Sequence, residues 1–107
     1  SAMPTLGPQP TLADLQRYVA ELEVERGFAD QSARDKCLLM GEELGELFKA
    51  VRKASGLKTD PTSEVSEVGD ELTDVLIYLC ALANRFDIDL EAAFRAKEAK
   101  NERRCWR

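Results

Sequence analysis

Histidine is absent from the 107-residue sequence. That absence excludes Ser-His-Asp and Cys-His catalysis, and every zinc, haem or di-iron centre built on imidazole. Cysteine is scarce: Cys37, Cys80 and Cys105, with no CxxC pair. An odd count, with Cys37 and Cys80 inside apolar helical patterns, fits small hydrophobic thiols in a reducing cytosol better than a disulfide scaffold. The six glycines are scattered. They form neither a GxxxxGK[ST] phosphate loop nor a GxGxxG dinucleotide fingerprint. The longest apolar run, Val75 to Ala83, is far short of a membrane span, and no signal-peptide pattern is visible. Positive charge is outnumbered, 15 basic residues against 20 acidic ones. A net charge of -5 argues against a general affinity for nucleic acid polymers or anionic membranes. The expectation is a cytoplasmic protein.

What remains is one domain's length of amphipathic helix. Residues 3 to 10 hold three prolines and a glycine and read as a flexible lead-in, with Ser1 and Ala2 as a tag remnant. The folded domain is expected over 11–107. Thr11 with Asp14 makes a capping box before Leu12, Leu15, Val19 and Leu22, which predicts a helix over 12–26 ended by Gly27. Met40, Leu44, Leu47, Phe48 and Val51 predict a second over 33–54, and 55–63 reads as a loop. Thr62 or Ser63 caps a third over 64–85, and Asp87 or Asp89 a fourth over 89–104. No period-two alternation appears, so the fold class is all-α, a four-helix bundle. The segment VLIYLCALA (75–83) carries no charge on any face. A helix apolar all round is buried all round, so a second copy of the chain is expected to cover it.

The acids are concentrated. Glu42, Glu43 and Glu46 lie on the second helix. Asp60, Glu64, Glu67, Asp70, Glu71 and Asp74 follow with no lysine or arginine among them. Glu43/Glu46 and Glu71/Asp74 are i,i+3 pairs, each on one face. Glu71 and Asp74 border the apolar stripe, and Glu43 lies nearer its stripe than Glu42 or Glu46. A carboxylate there is costly unless paired or bound to metal. Two such pairs from antiparallel helices make an oxygen-only cage suited to Mg²⁺, with Mn²⁺ as a substitute. Glu42, Glu64 and Glu67 read as solvated surface, and Asp70 faces away from the stripe. Residues 95–107 are net basic. The apolar spacing Leu90, Ala93, Phe94 continues as Lys97, Asn101 and Arg104, cations and an amide on the inward face. They suit an anionic ligand better than a helix dipole alone requires.

These residues carry a resemblance. GEELGELFKAVRK (41–53), then DELTDVLIYLCALANRFDIDL (70–90), resembles the MazG-like all-α nucleoside triphosphate pyrophosphohydrolases. Their ExxE and ExxD signature reads here Glu43-Leu44-Gly45-Glu46 and Glu71-Leu72-Thr73-Asp74. KEAKNERRCW (97–106) is similar to the family's Lys-x3-Asn-x2-Arg ending. The resemblance implies hydrolysis of an NTP or dNTP to monophosphate and pyrophosphate, in nucleotide-pool housecleaning. It implies Mg²⁺ on the four acids, Glu43 or Glu46 as the catalytic carboxylate toward water, and a homodimer or homotetramer. Lys97, Asn101 and Arg104, with Lys53, would hold the phosphate chain. Phe28, Tyr78 and Trp106 are aromatic groups able to stack on a base. The rival readings are a phosphoribosyl-ATP pyrophosphatase-like enzyme and a non-catalytic helical oligomer that binds a nucleotide or a protein partner.

Overall fold

A computed structural model describes residues 3–56 and 64–104, with the side chains of 64–66 excepted. The expected caps at Thr62 and Ser63 and the aromatic Trp106 lie outside the described residues, as do Ser1, Ala2, Cys105 and most of the 55–63 loop. Four helices form: α1 Leu12–Arg26, α2 Ala33–Ala54, α3 Glu64–Arg85 and α4 Leu90–Arg104. No strand occurs among the described residues, and the all-α expectation is met.

Local chemistry explains the boundaries. The Thr11 hydroxyl accepts from the Asp14 N–H at 3.1 Å, and the Thr11 N–H donates to the Asp14 carboxylate at 2.9 Å. Ser32 and Asp35 repeat this reciprocal cap on α2, at 3.0 Å in both directions. Gly27 ends α1 in the left-handed region at φ 79°. After α3, Asp87 takes φ 57°, a conformation that aspartate tolerates better than most residues. Asp89 caps α4, accepting from the Ala92 N–H at 3.1 Å.

α2 and α3 pack as the main pair, α1 lies across α3, and α4 leans on α1. The core is small. Val19, Cys80 and Ala81 form its centre, with Leu15, Ile77 and Leu90 against it. Cys80 is buried as expected, whereas Cys37 is exposed. Polar side chains do much of the joining. Gln16 on α1 donates to the Asn84 carboxamide oxygen at 3.1 Å and the Ile88 carbonyl at 2.7 Å, and accepts from the Leu90 N–H at 2.9 Å. That one side chain fixes the α3–α4 turn to α1.

Glu23 on α1 joins three helices. Arg85 on α3 grips its carboxylate bidentately, at 2.6 and 3.0 Å, and Lys36 on α2 reaches it at 2.7 Å. Burial alone would raise the Glu23 pKa, but the hydrogen bonds from Arg85 and Lys36 outweigh it and hold the carboxyl below its ordinary 4.5.

Apolar surface is left uncovered. Leu38 and Phe48 on α2 are 66% exposed, and Leu72, Leu76 and Leu79 form an open row on α3. The uncharged 75–83 segment is thus covered on one side only within a single chain. No residue of α4 is buried, and Phe94 is 65% exposed. The Cα radius of gyration is 16.5 Å, against about 13 Å for a compact domain of this length.

Removing the Glu23 charge strands two buried cations. Glu23→Gln should cost about 3 kcal/mol, measured as a lower urea midpoint at unchanged m-value. The wild-type contribution is complete above pH 4.5 and is lost as pH falls through the depressed native pKa. The variant's deficit should therefore shrink in acid.

Candidate active site

The antiparallel α2–α3 pair sets the site. Glu43 on α2 meets Glu71 and Asp74 on α3, and one carboxylate oxygen from each lies within 4.8 Å of the others. All three residues are half-buried. The i,i+3 spacing places Glu71 and Asp74 on the α3 face toward α2, while Asp70 is exposed, as the helical phase requires. Glu46 is exposed and stands outside this three-oxygen cluster, but it is close enough to act on Glu71 electrostatically.

The electrostatics are unfavourable in the bare site. The Glu71 pKa is raised, first by loss of solvent and then by the charges of Glu43, Asp74 and Glu46. Tyr78, one turn beyond Asp74, is also raised, by burial first and then by Glu43 and Asp74. Clustered carboxylates that push each other toward the protonated form would be relieved by a cation. The donors are all oxygen, the chain has no imidazole, and a hard divalent ion fits the set.

Two cavities flank the acids. One, of about 150 Å³, is lined by Glu43 and Asp74 together with Glu23, Arg26, Lys36, Phe28 and Tyr78, and by apolar groups of α1 and α3. The other, of about 230 Å³, is lined by Glu46, Glu71, Lys49, Lys53 and Glu67. The ExxE and ExxD pairs are therefore divided, Glu43 and Asp74 facing the ring-lined side and Glu46 and Glu71 the lysine-lined side. Lys53 stands in the second cavity, beside two of the acids. Glu67, read from the sequence as surface, lines that cavity too.

Lys97, Asn101 and Arg104 line neither cavity. Lys97 and Arg104 are exposed, and Asn101 donates to Glu98 at 2.9 Å. The apolar spacing that continues into these residues does not turn them inward within one chain, because α4 leans on α1, away from the α2–α3 cluster.

Sequence reasoning missed Lys36, Glu23 and Arg85. The signal was periodicity. Glu23 lies four residues after Val19 and Lys36 four before Met40, so each sits on its helix's apolar stripe. Phe28 and Tyr78, considered as stacking groups, do come together, each with its ring centroid 5.3 Å from the Lys36 ammonium.

Comparison with known proteins bears on the same residues. The MazG nucleotide pyrophosphohydrolase domain matches residues 31–106, a span containing all four acids. The dCTP pyrophosphatase 1 of Mus musculus is 37% identical over 102 residues, 91% of this chain and 60% of its own length. That of Homo sapiens is 35% identical over 105 residues, 94% of this chain and 62% of its own. This chain thus spans about three-fifths of those relatives. An uncharacterized protein of Bacillus subtilis (strain 168), YvdC, is 27% identical over 100 residues, 87% of this chain and 94% of its own length. With its four helices, its paired acids and a family match across most of its length, the chain belongs to the MazG nucleotide pyrophosphohydrolase family.

Proposed function

We propose that this chain is a Mg²⁺-dependent nucleoside triphosphate pyrophosphohydrolase, cleaving a (d)NTP to (d)NMP and pyrophosphate in cytoplasmic nucleotide housecleaning. The observation that carries the reading is the meeting of Glu43, Glu71 and Asp74 within 4.8 Å, between a ring-lined and a lysine-lined cavity. The relatives named dCTP pyrophosphatase 1 make dCTP the first nucleotide to test.

Glu43, Glu71 and Asp74 would hold the ion, with Glu46 at its edge. A bound Mg²⁺ supplies neutralisation of phosphate charge and a more acidic water. Glu46, exposed beside Glu71, is the carboxylate we assign to orient and deprotonate the attacking water, with Glu43 alongside it. Attack at the α-phosphorus forms the new P–O bond as the bond to the bridging oxygen breaks, and the electron pair leaves with pyrophosphate. Lys53, with Lys49 in the same cavity, meets the charge of that leaving group.

Lys97, Asn101 and Arg104 complete the phosphate-binding set from a second copy. The same association covers the open face of Leu72, Leu76 and Leu79. The protein then works as a homodimer or homotetramer.

Pyrophosphate release from dCTP should require Mg²⁺ and stop in EDTA. Glu46→Gln and Asp74→Asn should each lower kcat by about 10²-fold or more. Orthophosphate as first product would overturn the α–β cleavage.

Mg²⁺ should also raise the melting temperature, by an amount equivalent to about 2.7 kcal/mol at a hundredfold excess over Kd, and should fail to do so in Asp74→Asn. In EDTA the raised Glu71 pKa means that the folded chain takes up its proton before the unfolded one. Acidification from neutrality toward 4.5 should therefore raise the melting temperature in EDTA, and saturating Mg²⁺ should abolish that gain.

Sedimentation should show a dimer or tetramer. Leu76→Glu, on the open α3 face, should shift it toward monomer.

A further inference from the structure

The lysine-lined cavity carries one charge that the proposed cleavage does not use. Its walls are Glu46, Lys49, Ala50, Lys53, Glu67 and Glu71. Glu71 belongs to the three-oxygen cluster, and Glu46 acts on it from beside the cluster. Lys49 and Lys53 supply the cations that meet the leaving group. Glu67 has none of these tasks. It is half-buried, one turn before Glu71 on α3, about 6 Å along the axis and on the side away from Asp74. Among the described residues no ion pair joins it to Lys49 or Lys53. Its own helix gives a mixed account of it. Glu67 and Glu71 are an i,i+4 pair of like charge, which costs helix stability. The dipole near the start of α3 favours a carboxylate, but a dipole has no preference among helix faces, and this carboxylate lies on the face that lines the cavity.

A cavity that only had to hold phosphate would carry cations alone. A carboxylate on its wall repels any phosphate that enters, in proportion to the charge that phosphate carries. That charge changes during the reaction. In the nucleotide the bridging oxygen is shared between the α- and β-phosphates. Once that bond has broken, its electron pair stays with pyrophosphate, which then carries one negative charge more than the same two phosphates carried in the substrate. Lys49 and Lys53 therefore favour the product over the substrate, and a product held too well makes release, rather than chemistry, the slow step. Repulsion from Glu67 grows with the same extra charge and offsets that preference.

We propose that Glu67 sets pyrophosphate release: facing Lys49 and Lys53 across the cavity, its carboxylate keeps the hold on the product weak. This rests on the pyrophosphohydrolase reading above. Glu67 neither holds the ion nor moves a proton, and it acts on the departing phosphates through charge alone. An action of that kind is screened by salt, whereas a packing role is not.

The test follows dCTP cleavage by the full chain, for wild type, Glu67→Gln and Glu67→Asp, with Mg²⁺ in excess throughout. Inhibition by added pyrophosphate is read from dCMP formation, and inhibition by added dCMP from pyrophosphate release. Glu67→Gln should lower the inhibition constant of pyrophosphate by about 5-fold, the scale of one charge contact at a half-exposed site. KM for dCTP should fall by a smaller factor, and kcat by at most the same factor. The inhibition constant of dCMP, which lacks the two outer phosphates, should move less than twofold. In 1 M salt, where the Debye length is about 3 Å, the difference from wild type should disappear. Glu67→Asp keeps the charge and should stay within about twofold of wild type at low salt. Both variants should retain the Mg²⁺-induced melting shift, since neither alters the acid cluster. An unchanged pyrophosphate constant, an equal change for dCMP, or a difference that survives 1 M salt would overturn the assignment and leave the pyrophosphohydrolase reading in place. A loss of kcat of about 10²-fold would also overturn it, by making Glu67 part of the catalytic set. Pyrophosphate release from no nucleotide by wild type would overturn both.

Discussion

A single carboxylate fixes the relative placement of three helices. Glu23 projects from α1 and is met by Lys36 from α2 and Arg85 from α3. Arg85 also donates to the carbonyls of Phe28 and Gln31, so the α1–α2 turn is tied to the same point. With a hydrophobic centre as small as Val19, Cys80 and Ala81, apolar burial alone supplies little orientation. Bidentate and charge-assisted hydrogen bonds have directions, and directions set registers. Lys36 lies two helical turns before Glu43 on α2, and Arg85 lies three turns after Asp74 on α3. Locking the two helices at that end limits how they can slide where Glu43 meets Asp74 midway along them.

The acid cluster depends on this rigidity because it opposes folding. Glu43, Glu71 and Asp74 repel, and the raised Glu71 pKa expresses loss of solvent first and that repulsion second as a preference for the proton. Carboxylates on a mobile surface would separate into water. Held between packed helices, they stay within a few ångströms. The cluster costs stability at this place in the fold, and the Glu23 triad supplies part of what the acids remove.

Helix boundaries were legible because they rest on local chemistry. Both capping boxes, the left-handed Gly27 and the Asp89 cap are short-range features, and the helices start and stop there. The acid pairs were legible for a similar reason: an i,i+3 spacing beside an apolar stripe has one geometric consequence. Glu46 shows where that reasoning stops. Helical phase leaves Glu43 and Glu46 about 60° apart around the axis, and which of them faces α3 more directly depends on the crossing of the two helices. Gln16, Glu23, Lys36 and Arg85 were harder still. Each breaks an apolar stripe, and only the three-dimensional partner distinguishes a satisfied buried polar group from an exposed one.

The fourth helix shows a different limit. Its spacing turns from Leu90, Ala93 and Phe94 to Lys97, Asn101 and Arg104, a pattern that ordinarily marks an inward face. Within one chain that face meets little, since no residue of α4 is buried. The same is true of Leu38 and Phe48 on α2, and of the Leu72–Leu79 row on α3. A sequence pattern records every surface that is covered in the working molecule, whichever copy covers it. Periodicity thus marks apolar faces on α2, α3 and α4 that the other helices of the single chain leave open. Within one chain the cations of α4 therefore stand apart from the acids of α2 and α3.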